Sequence, residues 1–103
     1  MIRVIATLSL KPDCRARFLE ILAANVPLVL AEPGCLEYQP MIDIPSGLPP
    51  QISLRADAVI LVEAWKSLAA LRLHLSGLPH MLAYKQATRE FVESVSLQVL
   101  APS

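Results

Sequence analysis

The stretch Ile2-Arg3-Val4-Ile5-Ala6-Thr7-Leu8-Ser9-Leu10, with Lys11-Pro12-Asp13 directly behind it, decides how the rest of the chain is read. Ile2, Val4, Ala6, Leu8 and Leu10 alternate with Arg3, Ile5, Thr7 and Ser9, and a period of two puts the first set on one face of a β-strand. Lys11-Pro12-Asp13 then opens a helix, because proline suits a first turn and Asp13 complements the positive end of the helix dipole. Along that helix Phe18, Ile21, Leu22, Asn25 and Val29 form one stripe at helical spacing. The helix is expected to reach about Glu32, bent or broken near Pro27, and to stop at Pro33-Gly34.

Working outward, a second strand is expected from Cys35 to Ile42, followed by a loop at Pro45-Ser46-Gly47-Leu48-Pro49-Pro50. The segment from there to about Arg55 has no clean period. Asp57 to Trp65 reads as a buried strand, since Val59, Ile60, Leu61 and Val62 follow one another without a polar break. Ser67 can cap a short helix through about Leu75, Gly77 breaks it, and Pro79 starts another helix to about Glu93. Val95 to Leu100 closes the chain as a strand. The order β-α-β-β-α-β predicts a single α+β domain over residues 1–103, a ferredoxin-like antiparallel sheet with helices on one face. Its strands are apolar on both sides, so the bare face calls for a second copy, and a homodimer is expected.

Composition narrows the function. The chain has 103 residues, 54% hydrophobic and 17% charged, so it holds more apolar surface than one small sphere can bury. A subunit interface or an apolar ligand cavity is implied. Nine basic residues balance nine acidic ones, leaving no positive field to grip nucleic acid or an anionic membrane. No uninterrupted apolar stretch follows the N-terminus, and Val26 to Ala31 is too short to insert into a membrane. Cys14 and Cys35 are separated by a helix, so they are read as reduced thiols of a cytoplasmic protein.

Few groups remain to carry chemistry. There is no glycine-rich phosphate loop, no zinc-ligand spacing and no nucleophile elbow. His74 and His80 are scattered and lack a carboxylate partner in the sequence, so no metal is expected. Glu63 and Trp65 share a strand face with Leu61: either a core aromatic beside a solvated carboxylate, or the wall of a flat pocket with the indole N–H as donor. His80 follows Pro79 at a helix start, where the dipole disfavours the imidazolium, and Tyr84 lies one turn on, with Phe91 continuing the face. His80 is either a helix cap or a neutral base. Asn25 is either a pocket contact or, preferably, a residue at the bend before Pro27.

Together these segments resemble the antibiotic biosynthesis monooxygenase domain. The resemblance rests on Val4-Ile5-Ala6 with Lys11-Pro12, the turn Glu32-Pro33-Gly34-Cys35, Val62-Glu63-Ala64-Trp65 with Ser67, and His74-Leu75 with Pro79-His80-Met81. Tyr38-Gln39-Pro40-Met41-Ile42-Asp43 and Ala83-Tyr84 are similar to the quinol-oxidising bacterial subgroup. The resemblance implies a homodimer whose sheets pack into a dimeric α/β barrel. It also implies an apolar cavity in each subunit, and oxygenation of a quinol or phenolic aromatic by O₂ with no cofactor. On this reading His80 accepts the substrate proton, backed by Tyr84 and His74, while Trp65, Leu61, Met81, Glu63 and Phe91 shape the pocket. Ala6 and Thr7 replace the strand-one asparagine of haem-degrading relatives, and Tyr84 replaces their histidine, so haem degradation is not implied. The retained His-Leu and Pro-His segment leaves open isomerisation of a phosphorylated signalling sugar, for which Arg3, Arg72 and Arg89 are the available cations. A non-catalytic small-molecule-binding or stress-response dimer is a further alternative, and a purely structural dimerisation domain, supported by a pocket filled by Trp65, Met81 and Phe91, is another.

Overall fold

The computed structural model describes all 103 residues. Strand β1 spans Ile2–Leu10, and Val4, Ala6, Leu8 and Leu10 are buried in strict alternation, as the period requires. It sits inside a four-stranded sheet of order β2-β3-β1-β4, where β2 is Cys35–Met41, β3 is Ala58–Trp65 and β4 is Val92–Leu100. All neighbours are antiparallel. The helices α1 (Arg15–Leu30), α2 (Leu68–His74) and α3 (Pro79–Thr88) complete the order β-α-β-β-α-α-β. The fold is ferredoxin-like. Its core centres on the fully buried Trp65, Phe18, Leu22, Val4, Val29 and Val59.

Several local details differ from expectation. Asp13 does not begin a helix: it sits at φ 62° in the left-handed region and gives its backbone N–H to Asp57 Oδ1 at 3.2 Å. Pro27 neither breaks nor ends α1, which runs through it to Leu30. Proline deletes one hydrogen bond there, but Asn25 and Val29 are buried on either side of it and hold the last turn in place. The proline-rich loop is clamped by a two-pronged pair, Arg55 Nε to Asp43 Oδ2 at 2.8 Å and Arg55 Nη2 to Asp43 Oδ1 at 3.0 Å. Helix α3 stops at Thr88 rather than near Glu93, because Val92 already pairs with Leu10 and β4 therefore starts early.

Two turns position the site. Gly34 is at φ 82° between α1 and β2, and a Cβ there would lie 2.6 Å from Ala70 Cβ, so only glycine lets α2 close onto this turn. Ser67 caps α2 by accepting the Ala70 N–H at 3.2 Å. The helices cover β2, β3 and part of β1 but leave β4 open, and its Val95, Leu97 and Val99 are 56%, 46% and 48% exposed on the helix side. The opposite face mixes half-buried Ile5, Ile60 and Val62 with Arg3, Thr7 and Ser9; it is less uniformly apolar than the strand sequences imply. No helix is long and apolar enough to cross a membrane. Both cysteines are free.

Candidate active site

Between the sheet and α3 lies a cavity of about 670 Å³, lined mostly by hydrophobic side chains. Ala6 and Leu8 of β1, Leu61 of β3 and Val95 and Leu97 of β4 form its floor, and Met81 and Tyr84 of α3 lie over it. Two ionisable groups, Glu63 and His74, open into it from the end nearest Trp65. Both are almost fully buried.

His74 ends α2, and the turn at Gly34 brings it against Glu32, which directly follows α1 and the residue that caps it. His74 Nδ1 lies 2.9 Å from both Glu32 oxygens. A carboxylate only accepts, so Nδ1 carries the hydrogen and the Nε2 lone pair is left free. Nε2 makes no bond to the protein, yet no buried side-chain nitrogen or oxygen is sealed off without a partner. The open space it reaches is the cavity. Burial pushes the His74 pKa down, against the pull of the Glu32 hydrogen bond, and the positive charge of Lys85 adds to the depression. The ring is fixed by Trp65, at 4.7 Å between centroids, and by the edge of Tyr38 at 5.7 Å. This is a neutral imidazole, held by a carboxylate, with its basic nitrogen facing an apolar chamber.

Glu63 accepts the Trp65 indole N–H at 2.9 Å. Burial raises its carboxyl from the ordinary 4.5 to about 7; the indole bond opposes that rise and the charge of Glu32 adds to it. Glu63 can therefore hold or release a proton near neutral pH. The Tyr84 hydroxyl is pushed up to about 12 by burial, and that of Tyr38 further still. Both phenols stay protonated and can donate to an oxyanion.

The structure sorts the residues singled out in the sequence. Leu61, Glu63, His74, Met81 and Tyr84 line the cavity. Trp65 does not: it is fully buried behind the wall, and Glu63 already takes its N–H. Phe91 packs against the core without reaching the cavity. His80 lies outside the cavity too, at a separate groove of about 210 Å³ between α1 and α3, with Asn25 and one side of Tyr84. Its Nε2 is 2.7 Å from Glu32 Oε2. It makes no capping bond, and its link to the cavity residue His74 runs through Glu32. Asn25 lies in that groove, and its amide donates to Met81 Sδ at 3.4 Å.

Glu32, Tyr38 and Lys85 were missed. The two histidines do share a carboxylate, but it is Glu32, 42 and 48 residues away in the chain. The available signal was an acid placed just before Pro33-Gly34, read there only as part of a turn. No cluster of three or more side chains arranged to hold a metal ion is present.

The chain is similar in sequence and fold to known proteins. The family model described as antibiotic biosynthesis monooxygenase matches residues 1–87. The Escherichia coli K12 protein named "Probable quinol monooxygenase YgiN" is 38% identical over 104 residues, covering 99% of this chain and 98% of that protein. The structure of Rv0793 from Mycobacterium tuberculosis superposes with a TM-score of 0.76 at 30% identity, covering 99% of this chain and 94% of that one. PA3566 from Pseudomonas aeruginosa shares the fold, with a TM-score of 0.78 at 24% identity over 99% of this chain and 93% of that one. With the helix-covered sheet and a sequence match over most of its length, the chain belongs to the antibiotic biosynthesis monooxygenase family.

Proposed function

We propose that the chain is a cofactor-independent monooxygenase that oxidises a quinol or phenolic aromatic with O₂. The observation that carries this reading is the Glu32–His74 pair, whose free Nε2 opens into an apolar cavity. The 38% identity to a protein named for quinol oxidation supports the substrate class.

Triplet O₂ reacts with an organic molecule one electron at a time, so the substrate must first become electron-rich. His74 Nε2 takes the phenolic proton, and Glu32 stabilises the imidazolium that results. Tyr38 and Tyr84 are the donors available to the phenolate oxygen. The phenolate passes one electron to O₂, giving a substrate radical and superoxide, which combine to form a carbon–oxygen bond. The peroxide anion takes the proton back from His74. Loss of the ring C–H proton and cleavage of the O–O bond then leave a carbonyl, and the second oxygen departs as water. Glu63, poised near neutrality, is the group placed to collect that C–H proton. The apolar walls of sheet and α3 hold the two radicals side by side. His80 acts through Glu32 as a positioning residue, and Trp65 fixes Glu63 and His74 from behind.

The apolar residues Ile5, Ile60 and Val62 of the opposite sheet face support assembly as a homodimer. The free cysteines fit a reducing, cytoplasmic setting. The activity is tested by following O₂ uptake by metal-stripped protein with a reduced naphthoquinone, corrected for autoxidation. Uptake that saturates with quinol and collapses in His74→Ala supports the reading. Uptake no faster than background across quinols and phenols refutes it.

A further inference from the structure

The cavity is not apolar throughout. Its lining includes Lys85, on the face of α3 that also carries Met81 and Thr88, and Arg89, one turn on and directly after the helix end. Neither cation is in an ion pair. The only acidic side chain in the lining is Glu63, and register places it at the other end. Glu63 lies across from Val4, whereas Val95 and Val92 lie across from Leu8 and Leu10. Helix α3 runs along β1 in the same direction: His80 near its start bonds Glu32, and Thr88 at its end accepts the N–H of Phe91, whose carbonyl takes the N–H of Lys11. From Met81 to Arg89 the helix advances about 12 Å at ~1.5 Å per residue. The chamber is thus polarised lengthwise: the proton acceptor lies at one end and the two cations lie toward the other, Arg89 farthest and Lys85 midway, close enough for its charge to act on His74. Those charges repel each other and meet no protein anion.

We propose that the cavity binds an aromatic substrate bearing a carboxylate at the end remote from the oxidised hydroxyl, with Lys85 and Arg89 as the carboxylate subsite. The proposal rests on the oxygenase reading only for which end reacts. A monocarboxylate matches an otherwise apolar wall: the ring fills the space between sheet and helix, and the one charge stays at the exposed rim, where two cations meet it without the penalty of full burial. Arg89 brings a planar fork suited to a carboxylate, and Lys85 a point charge that also reaches His74. Neutral quinols of the same shape would enter the same chamber and leave the rim unused.

The test measures binding apart from turnover. A hydroxynaphthoate with its hydroxyl and carboxylate on opposite rings, and the matching neutral carboxamide, are titrated calorimetrically into the intact protein under nitrogen. The carboxylate should bind about five- to tenfold more tightly at low salt, the scale expected of two partly exposed charge contacts. The double variant Lys85→Met, Arg89→Met should bring that ratio to about one and leave carboxamide affinity unchanged, which also reports an intact fold. Molar salt should shrink the ratio in the unmodified protein. Equal binding of acid and amide, a preference that survives removal of both charges, or no binding of either ligand overturns the proposal. O₂ uptake with the same acid is scored separately: a retained binding preference without uptake removes the oxygenase reading and leaves the subsite standing.

Discussion

In the proposed reaction His74 is suited to act as the base because three features agree on its state. Glu32 holds Nδ1, the cavity leaves Nε2 unpaired, and burial keeps the ring neutral. Replacing His74 by Ala is expected to lower kcat by about a hundredfold or more, the usual worth of a positioned base. Glu32→Gln keeps the shape but weakens the hydrogen bond, so it should cost kcat less than His74→Ala while leaving KM nearly unchanged; steady-state O₂ uptake measures both. Glu63 predicts a pH effect on stability. Its carboxyl is raised from 4.5 to about 7 in the fold, so as pH climbs the unfolded chain gives up that proton first. The fold therefore has the full benefit of the protonated carboxyl below about pH 4.5 and loses it as pH rises through about 7, on the order of 3 kcal/mol by linkage. Urea midpoints of Glu63→Gln should lack that loss; parallel curves for variant and parent would contradict it. Of these residues the sequence exposed His74, Glu63 and Tyr84 as reactive types at helical or strand spacing. Glu32 was hidden, because its placement depends on the fold bringing together two residues 42 positions apart in the chain.

At the scale of elements, the turn between α1 and β2 sets where Glu32 can sit. Gly34→Ala forces a side chain into the left-handed region and within 2.6 Å of Ala70 Cβ, so it should destabilise by about 2 kcal/mol or more. Gly47→Ala, at φ 72° with open space around it, should cost only about 1 kcal/mol. Adding Ala70→Gly to the Gly34→Ala variant should recover part of the loss. Equal urea midpoints for the two alanine variants would refute the close-approach argument. Strand β1 and the buried strand β3 were legible from their own periodicity, and Ser67 from its capping chemistry. The α3–β4 boundary was not: residues 89–94 suit a continued helix locally, and only pairing of Val92 with Leu10 makes them strand. The expected break at Pro27 is absent for a related reason, since buried packing on both sides of the proline outweighs one lost hydrogen bond.

The whole molecule has helices on one face of its sheet and an apolar edge strand that none of them covers. The proposed homodimer should sediment at about twice the 11.3 kDa of the chain. Val62→Lys, in the middle of the opposite face, should reduce it to the monomer; a parent that sediments as a monomer at micromolar concentration contradicts that arrangement. Composition already pointed to surplus apolar surface, but the sequence could not divide it between a cavity and an interface. That division depends on which strands the helices cover. The central claim is that His74 removes the substrate proton before O₂ reacts, and one measurement addresses it directly. The O₂-uptake defect of His74→Gln is followed across phenols of increasing acidity at a fixed pH. The defect should shrink as the phenol becomes acidic enough to ionise unaided, because an ionised substrate no longer needs a base. A defect that stays constant across the series would show that His74 serves some other role, and the account of the site would fail.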